Sequence, residues 1–216
     1  MGSLKKLGFD NHIERFKEIA IPEELQFARV IRESKKEYIV KTITGDFQGY
    51  ISGKLRHDAK IRSDFPAVGD WVLVKYLDTS KVIIHQVLPR KTILERQAIG
   101  RFGKKQTIAT NVDVAFVMQD IANDFNLNRL DRLIAICFAS KIKPMLILTK
   151  IDISKNFELE ERASKINKRF NNIDIIMLSN KSMEGFPKVQ KTILYGNTYC
   201  FIGASGAGKS TLINNL

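Results

Sequence analysis

Only two cysteines and three histidines occur in these 216 residues. Cys137 and Cys200 sit in the apolar strings Ile136-Cys137-Phe138 and Tyr199-Cys200-Phe201. They read as two buried, reduced thiols and not as a disulfide framework. His12, His57 and His85 are far apart, with no second ligand at metal spacing, so these residues offer no metal cage. No uncharged apolar run approaches the roughly 18 residues of a membrane helix. The opening Met1-Gly2-Ser3-Leu4-Lys5-Lys6 has no Ser or Thr at its sixth position for myristoylation, and no apolar stretch of a secretory signal. A cytoplasmic protein without a membrane partner is the expectation. Acidic side chains are also in deficit, 23 against 35 Lys and Arg, for a net charge of +12. Residues 1–100 hold 18 basic and 13 acidic groups, and residues 101–216 hold 17 and 10, so the excess is spread along the chain. A distributed positive charge favours polyanionic partners, nucleic acid first.

The pattern of apolar residues changes twice. Residues 4–20 carry Leu4, Leu7, Ile13, Phe16 and Ile19 at helical spacing, which predicts a short amphipathic helix within residues 1–22. Residues 23–96 break into five short β-branched runs: 27–32, 38–42, 48–51, 71–74 and 81–87. Gly45, Gly53, Pro66 and Gly69-Asp70 lie between them. Five such strands predict a small closed barrel of OB-fold type, and the pattern alone also fits an SH3-like barrel. Residues 97–111 are expected to link this barrel to a second domain. The stretch 90–105 carries Arg90, Lys91, Arg96, Arg101, Lys104 and Lys105 against Glu95. From residue 112 to 216 apolar strands alternate with helices: strands at 114–118, 144–148, 173–178 and 198–202, and helices at 127–139 and 159–170. A further helix at 185–194 is expected to break near Pro187. That alternation predicts a mostly parallel, incomplete α/β domain.

One motif is complete. Gly203-Ala204-Ser205-Gly206-Ala207-Gly208-Lys209-Ser210 matches G-x-x-x-x-G-K-[ST] after a strand and before a helix. Its backbone N–H groups can wrap phosphates. Lys209 is expected on the β- and γ-phosphates, Ser210 on Mg²⁺, and Thr211 on the α-phosphate. The base is read elsewhere. Thr149-Lys150-Ile151-Asp152 follows a strand, at the edge where parallel sheets bind ligands. The Asp152 carboxylate can accept from guanine N1–H and the 2-amine together, and the stem of Lys150 can cover the purine. Ser179-Asn180-Lys181 follows the next strand and can offer a backbone N–H to guanine O6. Taken singly, T-K-x-D is as well explained by a solvated loop, and Asn111 and Asp113 are better explained by a structural turn.

The base-reading motifs precede the phosphate loop, whereas ordinary GTPases begin with it. In this order the chain resembles the circularly permuted GTPases, specifically the small-ribosomal-subunit-dependent GTPases of bacteria. The resemblance includes Val68-Gly69-Asp70-Trp71-Val72, Leu88-Pro89-Arg90-Lys91-Thr92-Ile93-Leu94-Glu95-Arg96, Ala109-Thr110-Asn111-Val112-Asp113 and Phe125-Asn126-Leu127-Asn128-Arg129-Leu130-Asp131-Arg132. It implies an OB-fold on ribosomal RNA, a permuted GTPase domain, a C-terminal zinc domain, and a role late in small-subunit maturation. GTP and GDP are then the ligands, with a monomer expected. Lys35, Lys36, Lys54 and Arg56 are the RNA-contact candidates, with Tyr38 and Tyr50 among them; a solvated face explains the basic residues equally well.

This sequence departs from the family pattern. Thr149 stands where the family usually has Asn, which implies weakened base discrimination, and Asn180 stands at the Ala of S-A-K. No D-x-P-G switch, switch threonine or Cys/His cluster for Zn²⁺ follows the phosphate loop before Leu216. The chain therefore reads as the N-terminal portion of a longer protein, with no catalytic base of its own and no expected turnover by itself. Two other functions fit part of the sequence. An ATP-using P-loop enzyme would leave Asp152 and the barrel without a role. An RNA-binding module with a vestigial nucleotide site would leave the complete phosphate loop unexplained.

Overall fold

A computed structural model gives the structure of residues 2–34, 37–97, 105–153 and 156–216. They form two compact units: residues 1–112 with 195–198, and residues 113–194 with 199–216.

In the first unit, five strands close a barrel in the order β1-β2-β3-β5-β4. They are β1 (Gln26–Glu33), β2 (Tyr38–Lys41), β3 (Asp46–Ile51), β4 (Trp71–Tyr76) and β5 (Lys81–Val87). Antiparallel β1–β4 pairing closes the ring, and β3 runs parallel to β5. This is the OB-fold order. Strand alternation explains its core, because Val72 and Val74 point inward with Ala28, Val30, Val40, Val82 and Ile84. The other face of β4, Trp71 and Leu73, is equally buried under Leu4, Phe9, Phe16 and Leu88.

That second cluster corrects the single helix expected over residues 4–20. The segment is a one-turn helix α1 (Gly2–Lys6) followed by 3-10 turns at Phe9–Asn11 and Ile13–Phe16. Gly8 breaks the helix in the left-handed conformation (φ 86°), and a Cβ there would lie 2.1 Å from the Gly196 carbonyl oxygen. The break lets Phe9 meet Trp71 edge-on, with centroids 5.1 Å apart and planes at 66°. Tertiary burial of aromatics has overridden a helical repeat.

A short helix α2 (Gly53–Asp58) lies between β3 and β4, its Ser52 hydroxyl accepting from Leu55 N. The stretch expected as a linker is instead partly a two-stranded ribbon, β6 (Ile93–Gln97) against β7 (Lys105–Thr110). Residues 98–104 of that linker, Arg101 and Lys104 included, lie outside the described residues. Arg90 is not a free surface charge either. Its Nε and Nη2 donate to the two Asp70 oxygens at 2.8 and 2.6 Å, and it also donates to the Ser63 and Phe65 carbonyls. Asn111 is the expected turn residue (φ 54°), donating to Gly69 O and accepting from Lys91 N.

The second unit is built on a parallel four-stranded sheet in the order β10-β9-β8-β11. The strands are β8 (Val114–Asp120), β9 (Lys143–Thr149), β10 (Ile175–Leu178) and β11 (Tyr199–Gly203). The helices are α3 (Leu127–Ala139), α4 (Asn156–Arg169), α5 (Phe186–Thr192) and α6 (Lys209–Asn215). Central β8 and β9 are buried almost throughout, as uninterrupted apolar strands in a parallel sheet must be. Pro187 lies in the first turn of α5 and does not break it, because an N–H is dispensable there. Cys137 is buried as expected but Cys200, on the edge strand β11, is only half-buried; both are free, and burial pushes their thiols up to about 11 and about 12. No helix among the described residues is long and apolar enough to cross a membrane.

Candidate functional site

Because all four strands run the same way, their C-terminal ends share one edge of the sheet. Asp120 pairs in register with Thr149, and Thr149 with Leu178, while Gly203 pairs with Met118. The segments that follow these residues therefore emerge together: residues 121–126, 150–153, 179–182 and 204–208. This placement follows from topology and register, which is why separate motifs in the sequence become neighbours.

The phosphate loop leaves β11 at Gly203 and enters α6 at Lys209. Ala207 is buried, anchoring the loop, whereas Ser205, Gly206, Ser210 and Thr211 are exposed and Ala204 is half-buried. The Lys209 ammonium folds back and donates to the carbonyls of Gly203 (3.0 Å) and Ala204 (2.6 Å). Two neutral acceptors are weak company for a cation, and phosphate oxygens are stronger acceptors for the same donors.

Thr149 is fully buried, and its hydroxyl reaches both the Ala207 carbonyl at 3.0 Å and the Gln119 carbonyl at 3.3 Å. It joins β8 and β9 to the phosphate loop. Lys150 has a left-handed backbone (φ 64°), and its ammonium lies 2.7 Å from Asp120 Oδ2. Ile151 is buried beneath the turn, and Asp152 is exposed on it. In the neighbouring segment, buried Ser179 accepts from the backbone of Lys181 (3.2 Å) and Ser182 (3.0 Å). Asn180 donates through Nδ2 to the Gly208 carbonyl at 3.1 Å. The Lys181 side chain is exposed.

Asp120 is the participant that sequence reasoning missed. Its burial opposes ionisation, but the Lys150 ammonium, the Asn123 side chain and the backbone N–H groups of Asn123 and Ala122 outweigh that. The carboxyl is held below its ordinary range. A charged residue closing the apolar run Val114-Ala115-Phe116-Val117-Met118 at the ligand edge is the signal that could have revealed it. Arg162 of α4 completes this corner, donating to the Ala122 carbonyl at 2.7 Å and lying over the Phe125 ring.

Among the described residues no group of three or more His, Cys, Asp or Glu could hold a metal ion. Ser210 is an exposed hydroxyl beside the phosphate loop, so a magnesium ion there would draw most of its oxygen ligands from phosphates and water.

Of the RNA-contact candidates, Lys54 and Arg56 are exposed on α2, whereas Lys35 and Lys36 lie outside the described residues. Tyr38 is buried in the barrel and offers no open ring face, which removes it as a stacking platform; Tyr50 is half-buried. Burial also raises the Tyr38 hydroxyl above its ordinary range, against the lowering effect of Arg62.

Comparisons with known proteins converge. The family model described as RsgA GTPase matches residues 87–216. The Opitutus terrae protein called "Small ribosomal subunit biogenesis GTPase RsgA" is 32% identical over 223 residues, covering 99% of this chain and 60% of that protein. An Oceanobacillus iheyensis protein, "Small ribosomal subunit biogenesis GTPase RsgA 1", is 36% identical over 191 residues, covering 88% of this chain and 54% of its own length. This chain thus spans about 60% or less of the length of these relatives. Among solved structures, YjeQ from Thermotoga maritima superposes with a TM-score of 0.71 at 21% identity, covering 88% of this chain and 64% of that one. YloQ, titled a circularly permuted GTPase, gives 0.66 at 22% identity, covering 89% of this chain and 64% of that one. At that identity the likeness is one of fold: a five-stranded barrel and a parallel sheet with helices.

Proposed function

This chain belongs to the RsgA GTPase family, and on that premise we propose that it carries the nucleotide site of a GTP-hydrolysing factor for small-ribosomal-subunit maturation. The observation that carries the proposal is the joining of both purine-side segments to the phosphate loop, Thr149 to the Ala207 carbonyl and Asn180 to that of Gly208. A loop that only turned the chain would need neither link.

Each residue then has a role. The amides of residues 204–208 and the Lys209 ammonium take the phosphates, with Lys209 exchanging two carbonyls for phosphate oxygens. Thr211 adds a hydroxyl at the start of α6. Ser210 would give one oxygen ligand to a magnesium ion, which would supply positive charge against the phosphates. Asp152 accepts from guanine N1–H and its 2-amine, while Ile151 supports the turn from below. Asp120 holds Lys150 in place beside the purine. Ser179 rigidifies the segment whose backbone meets guanine O6, and Lys181 adds positive charge at its end. The barrel unit contributes rRNA binding through Lys54 and Arg56, with small subunits as partner.

The test is displacement of a fluorescent guanine nucleotide from the intact protein by GTP, GDP and ATP, with phosphate release followed with and without small subunits. The proposal expects GTP and GDP to displace it and ATP to fail. It also expects Lys209→Ala to abolish binding of triphosphate while leaving the fold intact. Equal displacement by ATP would favour an ATP-using enzyme and would leave Asp152 without a role.

A further inference from the structure

We propose that Asn180 is a positioning residue that couples purine recognition to the order of the phosphate loop; this rests on the guanine-nucleotide reading above. The segment after β10 is a hydrogen-bonded turn. The Ser179 hydroxyl accepts from two successive backbone N–H groups, and Ser179 N donates to the Glu184 carbonyl at 3.0 Å. From this turn the Asn180 carboxamide reaches the Gly208 carbonyl at 3.1 Å.

Gly208 is where the phosphate loop becomes helix. Its carbonyl also accepts from Leu212 N at 2.9 Å, the first turn-closing bond of α6. Asn180 therefore joins the purine-side segment to the hinge between the loop and the helix. The fit is close. Gly208 has φ 84°, and a Cβ on it would lie 2.6 Å from Asn180 Nδ2, so the contact depends on glycine at the position. Only the amide nitrogen can face the carbonyl, because the oxygen would meet it as a second acceptor. This fixes the carboxamide's orientation and leaves Oδ1 buried with no hydrogen-bond partner among the described residues. A residue selected for packing alone would not carry a desolvated amide oxygen.

The neighbouring carbonyl, Ala207 O, is held from the other purine-side segment by Thr149. The two straps differ in kind. Thr149 is fully buried and divides its hydroxyl between Ala207 and Gln119, so it belongs to the sheet. Asn180 is half-buried on a loop that the base would contact, so a ligand can change its freedom. A purine that orders residues 179–182 would thereby order the Gly208 carbonyl and the amides beside it. The phosphate-binding groups would then be prepared by the base, even when the ligand has no phosphate.

Hydrogen–deuterium exchange of the intact protein with guanosine, which bears no phosphate, reads this directly. In the native protein guanosine should slow exchange in residues 179–182 and also in residues 203–212. In Asn180→Ala it should protect only residues 179–182, and GDP affinity should fall by about three- to tenfold, the loss of one buried hydrogen bond. Asn180→Asp keeps the shape but removes the donor, and should behave alike if the alanine variant misfolds. Equal protection of residues 203–212 by guanosine in native and variant proteins would overturn the coupling. So would its absence from a native protein that binds GDP, leaving the nucleotide reading intact. Failure of the native protein to bind GDP would overturn both.

Discussion

Replacing Arg90 with methionine keeps an apolar stem of similar length and removes the guanidinium from Asp70, whose side chain is fully buried. Four hydrogen bonds disappear: two to the Asp70 carboxylate and one each to the Ser63 and Phe65 carbonyls. The stranded carboxylate keeps the Ala67 backbone N–H at 2.8 Å as a donor, which cannot balance a buried charge. Removing one partner of a buried ion pair costs about 3–5 kcal/mol. For a chain of this size that is a fall in Tm of about 6–20 °C. The sole tryptophan, Trp71, is next in sequence to Asp70 and fully buried, so urea unfolding followed by its fluorescence reports on this unit. Adding Asp70→Asn to Arg90→Met should recover part of the loss, because the remaining group is uncharged. A loss below about 1 kcal/mol, the range of an exposed pair, would refute the argument. So would a double variant that loses the full sum of the single effects.

Asp152→Asn should weaken GTP by about 10- to 100-fold, the scale of a hydrogen bond to a charged group, and improve xanthosine triphosphate; competition titrations with both nucleotides check it. Asp120 is a carboxyl held below its ordinary range, so its contribution to stability is present at neutral pH. That contribution is lost as pH falls through the ordinary carboxylate range towards the folded value. Asp120→Asn should therefore lie furthest below the native protein in Tm near pH 7, with the two curves converging in acid. Lys54→Glu with Arg56→Glu should weaken rRNA binding by the intact protein and flatten its log–log salt dependence by roughly 0.7–0.9 per lost phosphate contact. An unchanged slope would remove α2 from the RNA surface.

Features that a strand or helix fixes by itself were legible in the sequence. The helix at 127–139 is observed over that span, and all five barrel strands are found within a few residues of the expected runs. Asp70, Arg90 and Asn111 show the limit. Nothing local says that a basic arginine lies inside an ion pair with a residue twenty positions earlier. The ribbon strand Lys-Gln-Thr-Ile-Ala-Thr at 105–110 has too few apolar positions to announce itself beside a basic stretch. At the candidate site the strand, loop and helix over residues 199–215 were readable because the motif constrains its residue types. The links from Thr149 and Asn180 were not, since they cross 58 and 28 positions to reach backbone atoms, which carry no residue identity.

The two thiols have a practical consequence for spectroscopy. Held at about 11 and about 12, they leave only about one molecule in ten thousand, or fewer, as thiolate at pH 7. Thiolate is the species that attacks maleimides and iodoacetamides. A cysteine introduced on the exposed turn at Ser205 or on α2 would therefore react far ahead of Cys137 and Cys200. Fluorophores could be attached at one chosen position in each unit without first removing the native cysteines and disturbing the sheet they support.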